Sequence, residues 1–173
     1  MKDYLKDQEK PFPVVYFFFP PAKDPSWSER YPNHSTIDII TILPYETFSQ
    51  WEGSQWMHRG AEYEALKEQI AQRLLAHLFE QLPLLKGQID HYELSTPLTT
   101  KNFVNYQKGE LYGIDHSPSR FRQKFLQPRT PITGFYLTGQ DIVTAGVGGA
   151  LFSGLITANT ITGKNYMKSV MKD

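Results

Sequence analysis

Cysteine is absent from this 173-residue chain, and eighteen basic residues balance eighteen acidic ones. The first absence removes disulfides, thiolate metal sites and a cysteine nucleophile together, and it is compatible with a reducing cytoplasm. The second argues against a nucleic-acid partner, which calls for a basic excess to meet phosphates. Long apolar runs are missing too. The longest, Val14 to Phe19, falls far short of the ~20 residues that a membrane-spanning helix needs. Met1 to Lys10 is polar and charged, so no secretory signal is read there. A soluble or membrane-peripheral protein is expected. The balanced charge does not exclude lipid, because an apolar surface binds it without help from charge. Metal-ligand spacing is also lacking. His34, His58, His77, His91 and His116 stand apart, and each reads as an ordinary surface or core residue.

What is present is apolar and aromatic: 40% hydrophobic residues and 14% aromatic ones, enough for a real core in one domain. Residues 1 to 12 read as a frayed entry. Val14 to Phe19 is β-branched and aromatic between prolines, which predicts a strand covered on both faces. Thr36 to Leu43 predicts a second strand, antiparallel to the first across a proline-rich loop. From Ala61 to Leu82, leucine or isoleucine recurs at Leu66, Ile70, Leu74, Leu78 and Leu82, and Pro83 ends the pattern. This is the clearest helix. Gln88 to Leu94 predicts a third strand. A short helix follows from Pro97, capped by Ser95 or Thr96. Lys108 to Pro131 reads as loop, within which Asp115-His116-Ser117 makes a turn. Arg120, Arg122, Lys124 and Arg129, with Phe121 and Phe125, read as a solvated basic face that also suits a lipid headgroup. The fold class expected is α+β: a mixed, largely antiparallel sheet with one long amphipathic helix, closed by a C-terminal strand, glycine-rich turn and helix.

That closing stretch, residues 134 to 163, reads GFYLTGQDIVTAGVGGALFSGLITANTITG. A strand over Phe135 to Thr138 runs into Gly139-Gln140-Asp141, a turn carries Gly146, Gly148 and Gly149, and a helix starts near Ala150. Free N–H groups at a helix start offer donors and partial positive charge to a polar ligand edge. Glycines let a ligand approach the backbone, and a carboxylate at a strand end accepts from a sugar-like hydroxyl. Gly146-Val147-Gly148-Gly149-Ala150-Leu151 is not a dinucleotide fingerprint. Leu151 stands where a third small residue belongs, and no strand immediately precedes Gly146. From spacing alone, a glycine-rich turn before a packed helix, with Asp141 as a cap, serves equally well.

Residues 134 to 158 are similar to the C-terminal flavin-contacting motif of the phytoene desaturase, carotenoid isomerase and retinol saturase family. Asp24-Pro25-Ser26, Trp51 to Leu82, Ser95-Thr96-Pro97-Leu98-Thr99 and Gly109-Glu110-Leu111-Tyr112-Gly113 also resemble it. The resemblance implies FAD as cofactor, with Asp141 on the ribityl chain, Val147 beside the ring, and Gly148, Gly149 and Ala150 facing the pyrimidine edge of the isoalloxazine. It further implies that residues 1–133 belong to a substrate-binding domain and 134–173 to an FAD-contacting segment, one compact unit together. The substrate implied is an apolar polyene, saturated, desaturated or isomerised at its carbon–carbon double bonds. Tyr16 to Phe19, Trp51 and Trp56 either line its tunnel or pack the core. Catalytic residues are not identified. The family's N-terminal Rossmann unit, whose GxGxxG holds the FAD pyrophosphate, has no counterpart in these residues. A fragment, a shortened product or a missing FAD-binding half on a separate chain all fit, and catalysis by the chain alone is not expected. Self-association through an uncovered apolar face, or a non-catalytic role holding an apolar ligand or docking a protein, fits as well.

Overall fold

The computed structural model describes residues 11–170, so most of the expected frayed entry over residues 1–12 lies outside the described residues. The chain forms two compact units divided between Gly109 and Glu110. The sequence placed its division after residue 133, within what it read as a single compact unit.

The first unit is organised around strand β1 (Val15–Phe18), strand β2 (Asp38–Thr41) and three α-helices. The strands pair antiparallel, Val15 opposite Thr41 and Phe18 opposite Asp38. Thr41 Oγ1 donates to the Val14 carbonyl at 2.7 Å, extending the ladder by one link. β-Branched and aromatic side chains suit this pleated pair, but only one face is covered. Val15 and Ile39 pack on the core, whereas the cross-strand pair Tyr16 and Ile40 stands 55% and 45% exposed. The expectation of cover on both faces is therefore corrected. A two-stranded ribbon is too narrow to recruit a layer on each side.

Between the strands, helix α1 (Trp27–Arg30) is a single turn. Asp24 accepts from the Ser26 N–H at 2.9 Å and from its hydroxyl at 2.8 Å, and pairs with Arg30. These bonds, led by the Ser26 hydroxyl, hold the Asp24 carboxyl below its ordinary range.

Helix α2 (Ala61–Gln81) is the long helix expected. Gly60, at φ +89°, turns the chain into it, and Glu62 and Glu64 complement its N-terminal partial charge. Ile70, Leu74 and Tyr63 bury against Phe12, Phe48 and Leu98. Phe12 is thus a core residue rather than part of a frayed end. The stripe's last member, Leu82, emerges to solvent. A repeat of four residues turns 400° rather than 360°, so the stripe rotates about 40° per step and leaves the buried side. Helix α3 (Pro97–Val104) begins in a capping box. Thr99 Oγ1 accepts from the Thr96 N–H at 3.1 Å, and the Thr96 side chain in turn accepts from the Thr99 N–H. Asn105 ends it in the left-handed region at φ 60°. Gln88 to Leu94 is no strand. Its Tyr92 hydroxyl instead donates to Glu68 on α2 at 2.7 Å, so side chains rather than a ladder anchor the segment.

The second unit is built on helix α5 (Gly146–Thr162), with the short helices α4 (Pro118–Phe121) and α6 (Met167–Val170). The strand expected at Phe135 to Thr138 reduces to one bridge, Arg129 to Tyr136. The stretch is held from the side by α5: Thr157 Oγ1 donates to the Leu137 carbonyl at 3.0 Å, and Arg129 Nη2 to the Thr160 carbonyl at 3.1 Å. Sheet and helices together make an α+β fold, as the sequence indicates.

Candidate cofactor-contact site

The turn from Gly139 to Gly146 opens on a glycine at φ +98° and closes on one at φ +90°. Only glycine adopts such angles cheaply. Inside the turn the Ile142 N–H donates to the Gly139 carbonyl at 3.1 Å. Helix α5 begins at Gly146, four residues earlier than the sequence suggested. Val147, Gly148, Gly149 and Ala150 therefore form its first turn rather than the loop before it. Ala145 supplies no side-chain cap. Its own N–H donates to His116 Nε2 at 2.7 Å, and the Gly146 N–H donates to Gln140 Oε1 at 3.4 Å. The next N–H groups of the first turn have no acceptor within the helix.

The two adjacent glycines there serve different ends. A Cβ on Gly149 would lie 1.9 Å from the Thr144 carbonyl oxygen, so the fold itself demands glycine. A Cβ on Gly148 would meet nothing within 4 Å, and its φ is not positive. Val147 beside it is 88% exposed. Packing among the described residues gives no reason for glycine at position 148.

Asp141 is half-buried, and its Oδ1 accepts from the Ile114 N–H at 2.8 Å. Oδ2 takes no part in that bond. Asp141 is not a cap for α5: its carboxylate bonds the Ile114 N–H, and the side chain that meets the Gly146 N–H is that of Gln140. The Asp141 carboxylate sits against Gly113, where an added Cβ would fall 2.1 Å from Oδ1.

Residues the sequence did not single out hold this turn. Arg120, read as part of a solvated face, is 5% exposed, and its Nη2 donates to the Gln140 carbonyl at 3.0 Å and the Asp141 carbonyl at 2.9 Å. Arg122 and Lys124 do face solvent. His116, read as an ordinary histidine in a turn, accepts from the helix start. The three-residue spacing of Ser117 to Arg120, with Pro118 between, was the legible signal. It is an N-cap pattern, and Ser117 Oγ accepts from the Arg120 N–H. Among the aromatics, Trp51 packs on Tyr63 with ring centroids 5.4 Å apart, whereas Trp56 is exposed against Phe103. Among the described residues there is no cluster of three or more potential metal ligands, and no helix is long and apolar enough to cross a membrane.

Neither a family model nor a solved structure matches the chain. Curated proteins do. It is 32% identical over 163 residues to an all-trans-retinol 13,14-reductase of Danio rerio, covering 92% of this chain and 27% of that protein. An inactive all-trans-retinol 13,14-reductase of the same organism is 33% identical over 171 residues, covering 93% and 28%. The chloroplastic prolycopene isomerase of Arabidopsis thaliana is 26% identical over 163 residues, covering 93% and 26%. The chain thus spans about a quarter of the length of these relatives. Its homologues are all-trans-retinol 13,14-reductases and a prolycopene isomerase, and it corresponds to their C-terminal part.

Proposed function

We propose that this chain supplies the flavin-contacting turn and part of the substrate domain of an FAD-dependent oxidoreductase. Its substrate is an apolar polyene of carotenoid or retinoid type, saturated, desaturated or isomerised at carbon–carbon double bonds. The observation that carries the reading is Gly148. Glycine in a helix costs up to ~0.5–1 kcal/mol relative to alanine, and nothing among the described residues calls for it. A flat ligand lying against the helix start does. The open first turn fits the pyrimidine edge of an isoalloxazine, and the carboxylate of Asp141 fits a ribityl hydroxyl.

When bound, the flavin supplies the hydride and electron chemistry. The chain's own residues bind and orient it. Val147 flanks the ring, while Gly148 and Gly149 bring backbone N–H groups to its polar edge, with Ala150 behind them. The helix start stabilises negative charge developing at that edge by ~0.3–1 kcal/mol. Exposed Tyr16 and Trp56 are suited to line an apolar substrate's path. Phe121 and Phe125, exposed beside Arg122 and Lys124, suit a cytoplasmic membrane surface from which such a substrate would come.

A second reading is a non-catalytic module that holds an apolar ligand or docks another chain, including a second copy of itself. The relative named as inactive supports it, and so does an exposed apolar stripe on α5.

Titrating the chain with FAD, and following both flavin absorbance and backbone amide shifts, separates the two. Saturable shifts at residues 147–150, weakened in Gly148→Ala, support flavin contact. Shifts absent at every FAD concentration leave the non-catalytic module.

A further inference from the structure

We propose that the segment from Ile114 to Phe121 is a brace that sets the shape of the flavin-contacting turn, and that Arg120 is its principal positioning residue. The inference rests on the flavin reading above, but its geometry is independent of any ligand.

The segment grips the turn at three points. The Ile114 N–H holds Asp141 Oδ1 at 2.8 Å. His116 Nε2 accepts from the Ala145 N–H at 2.7 Å, at the residue preceding α5. Arg120 Nη2 reaches two consecutive carbonyls, Gln140 at 3.0 Å and Asp141 at 2.9 Å. The grip is relayed onward, since the Gln140 side chain accepts the Gly146 N–H. Both ends of the turn, carboxylate and helix start, are thereby referred to one short segment. Arg120 is itself placed by the Ser117 cap and by Phe121, whose ring lies 5.1 Å from its guanidinium carbon.

An ordinary stabilising role explains Arg120 poorly. It is a buried cation with no carboxylate paired to it among the described residues. Its Nη1 is buried without a hydrogen-bond partner. Burying a guanidinium under those conditions costs free energy that an apolar side chain would not. What the cation provides in return is geometric: a planar donor group that holds adjacent carbonyls in one orientation. His116 contributes a further constraint. To accept at Nε2 it carries its single proton on Nδ1, so the neutral ring is the form that holds the helix start.

The test uses the 173-residue chain and its Arg120→Met and Arg120→Lys variants, with amide hydrogen exchange and FAD as probe. In Arg120→Met, exchange at Ile114 and Ala145 is expected to quicken at least tenfold while the α2 amides keep their rates. The FAD concentration needed to shift residues 147–150 should rise at least fivefold. Arg120→Lys keeps the charge but not the planar donor group, and should restore less than half of the lost protection. If Arg120→Met fails to fold, Arg120→Lys is read at the same amides, with at least threefold quickening expected. Unchanged exchange at Ile114 and Ala145 overturns the brace. Equal quickening throughout α5 and at the Arg129 to Thr160 contact makes Arg120 a general stability residue and overturns it as well. Local quickening in Arg120→Met together with no FAD shifts in the wild-type chain supports the brace and overturns the flavin reading alone.

Discussion

Gly148 and Gly149 are neighbours with opposite constraints, and substitution separates them. Gly149→Ala forces a methyl against the Thr144 carbonyl, an overpacking that should cost ~1–3 kcal/mol in denaturant unfolding. Gly148→Ala meets open space. It should leave stability unchanged or raise it by up to ~0.5–1 kcal/mol, yet weaken FAD binding. Stability and binding moving together in Gly148→Ala would mean that the glycine serves the fold. Asp141 is tested alongside. Asp141→Ala removes one bond to the Ile114 N–H, worth ~0.5–1.5 kcal/mol net, and should reduce FAD affinity. A larger stability loss with unchanged FAD affinity would make the carboxylate structural. The sequence marked these positions by composition. It could not tell the glycine that packs from the glycine that leaves room, because that difference depends on where the Thr144 carbonyl lies.

At the scale of elements, α2 is held by polar links as well as by its leucines. Tyr63 and Thr96 share a buried hydrogen bond of 2.7 Å that ties α2 to the start of α3. Tyr63→Phe keeps the ring but leaves the threonine hydroxyl only its bond within the capping box, and should cost ~0.5–1.5 kcal/mol in chemical unfolding. The exposed link to Tyr92 responds to pH instead. The Tyr92 hydroxyl, and after it the Gln72 amide, hold Glu68 below its ordinary value of 4.5. The same bond to Glu68 raises Tyr92 above its ordinary 10.0. A lowered carboxyl contributes stability that is present above 4.5 and lost as pH falls through the lower folded value. A raised phenol contributes stability present below 10.0 and lost as pH rises through the higher folded value. The link should therefore persist across the neutral range and fail at both ends. In Tyr92→Phe, a carboxyl-carbon NMR titration should show Glu68 moving up towards 4.5. An unmoved titration would show that the bond is not made in solution. The α2 helix was legible because its apolar period is local. The Tyr92 link was not, since alternation over Gln88 to Leu94 looks the same whether a strand or a helix side chain receives it.

For the molecule as a whole, the exposed surface of α5 sets the expectation. Val147, Leu151, Gly154, Ala158 and Ile161 follow one another at helical spacing, and Val147 and Leu151 stand 88% and 76% exposed. An uncharged stripe of this kind draws a partner. Sedimentation at rising concentration should show self-association, and Leu151→Glu should return the chain to monomer. A wild-type chain that stays monomeric at high concentration would show that the stripe needs no cover. FAD binding by the 173-residue chain should likewise be weak. Only the ring and ribityl contacts are proposed for it, and a stoichiometric yellow chromophore surviving dialysis would contradict that.

The amino-acid sequence by itself determined the elements whose signal is local. These are the paired β-branched runs, the α2 periodicity between Gly60 and Pro83, the Thr96–Pro97 helix start, and a glycine-rich approach to α5 that carries the family resemblance. Each depends on residues within a few positions of one another, where backbone sterics and side-chain period act directly. Tertiary structure decided what depends on partners 20 to 30 positions away in irregular chain. It buried Arg120 under the Gln140 and Asp141 carbonyls, set His116 at the helix start, began α5 at Gly146 and left Tyr16 and Ile40 uncovered. No periodicity encodes such contacts. A buried guanidinium and a solvated one are written with the same letter, and only the position of the acceptors in space distinguishes them.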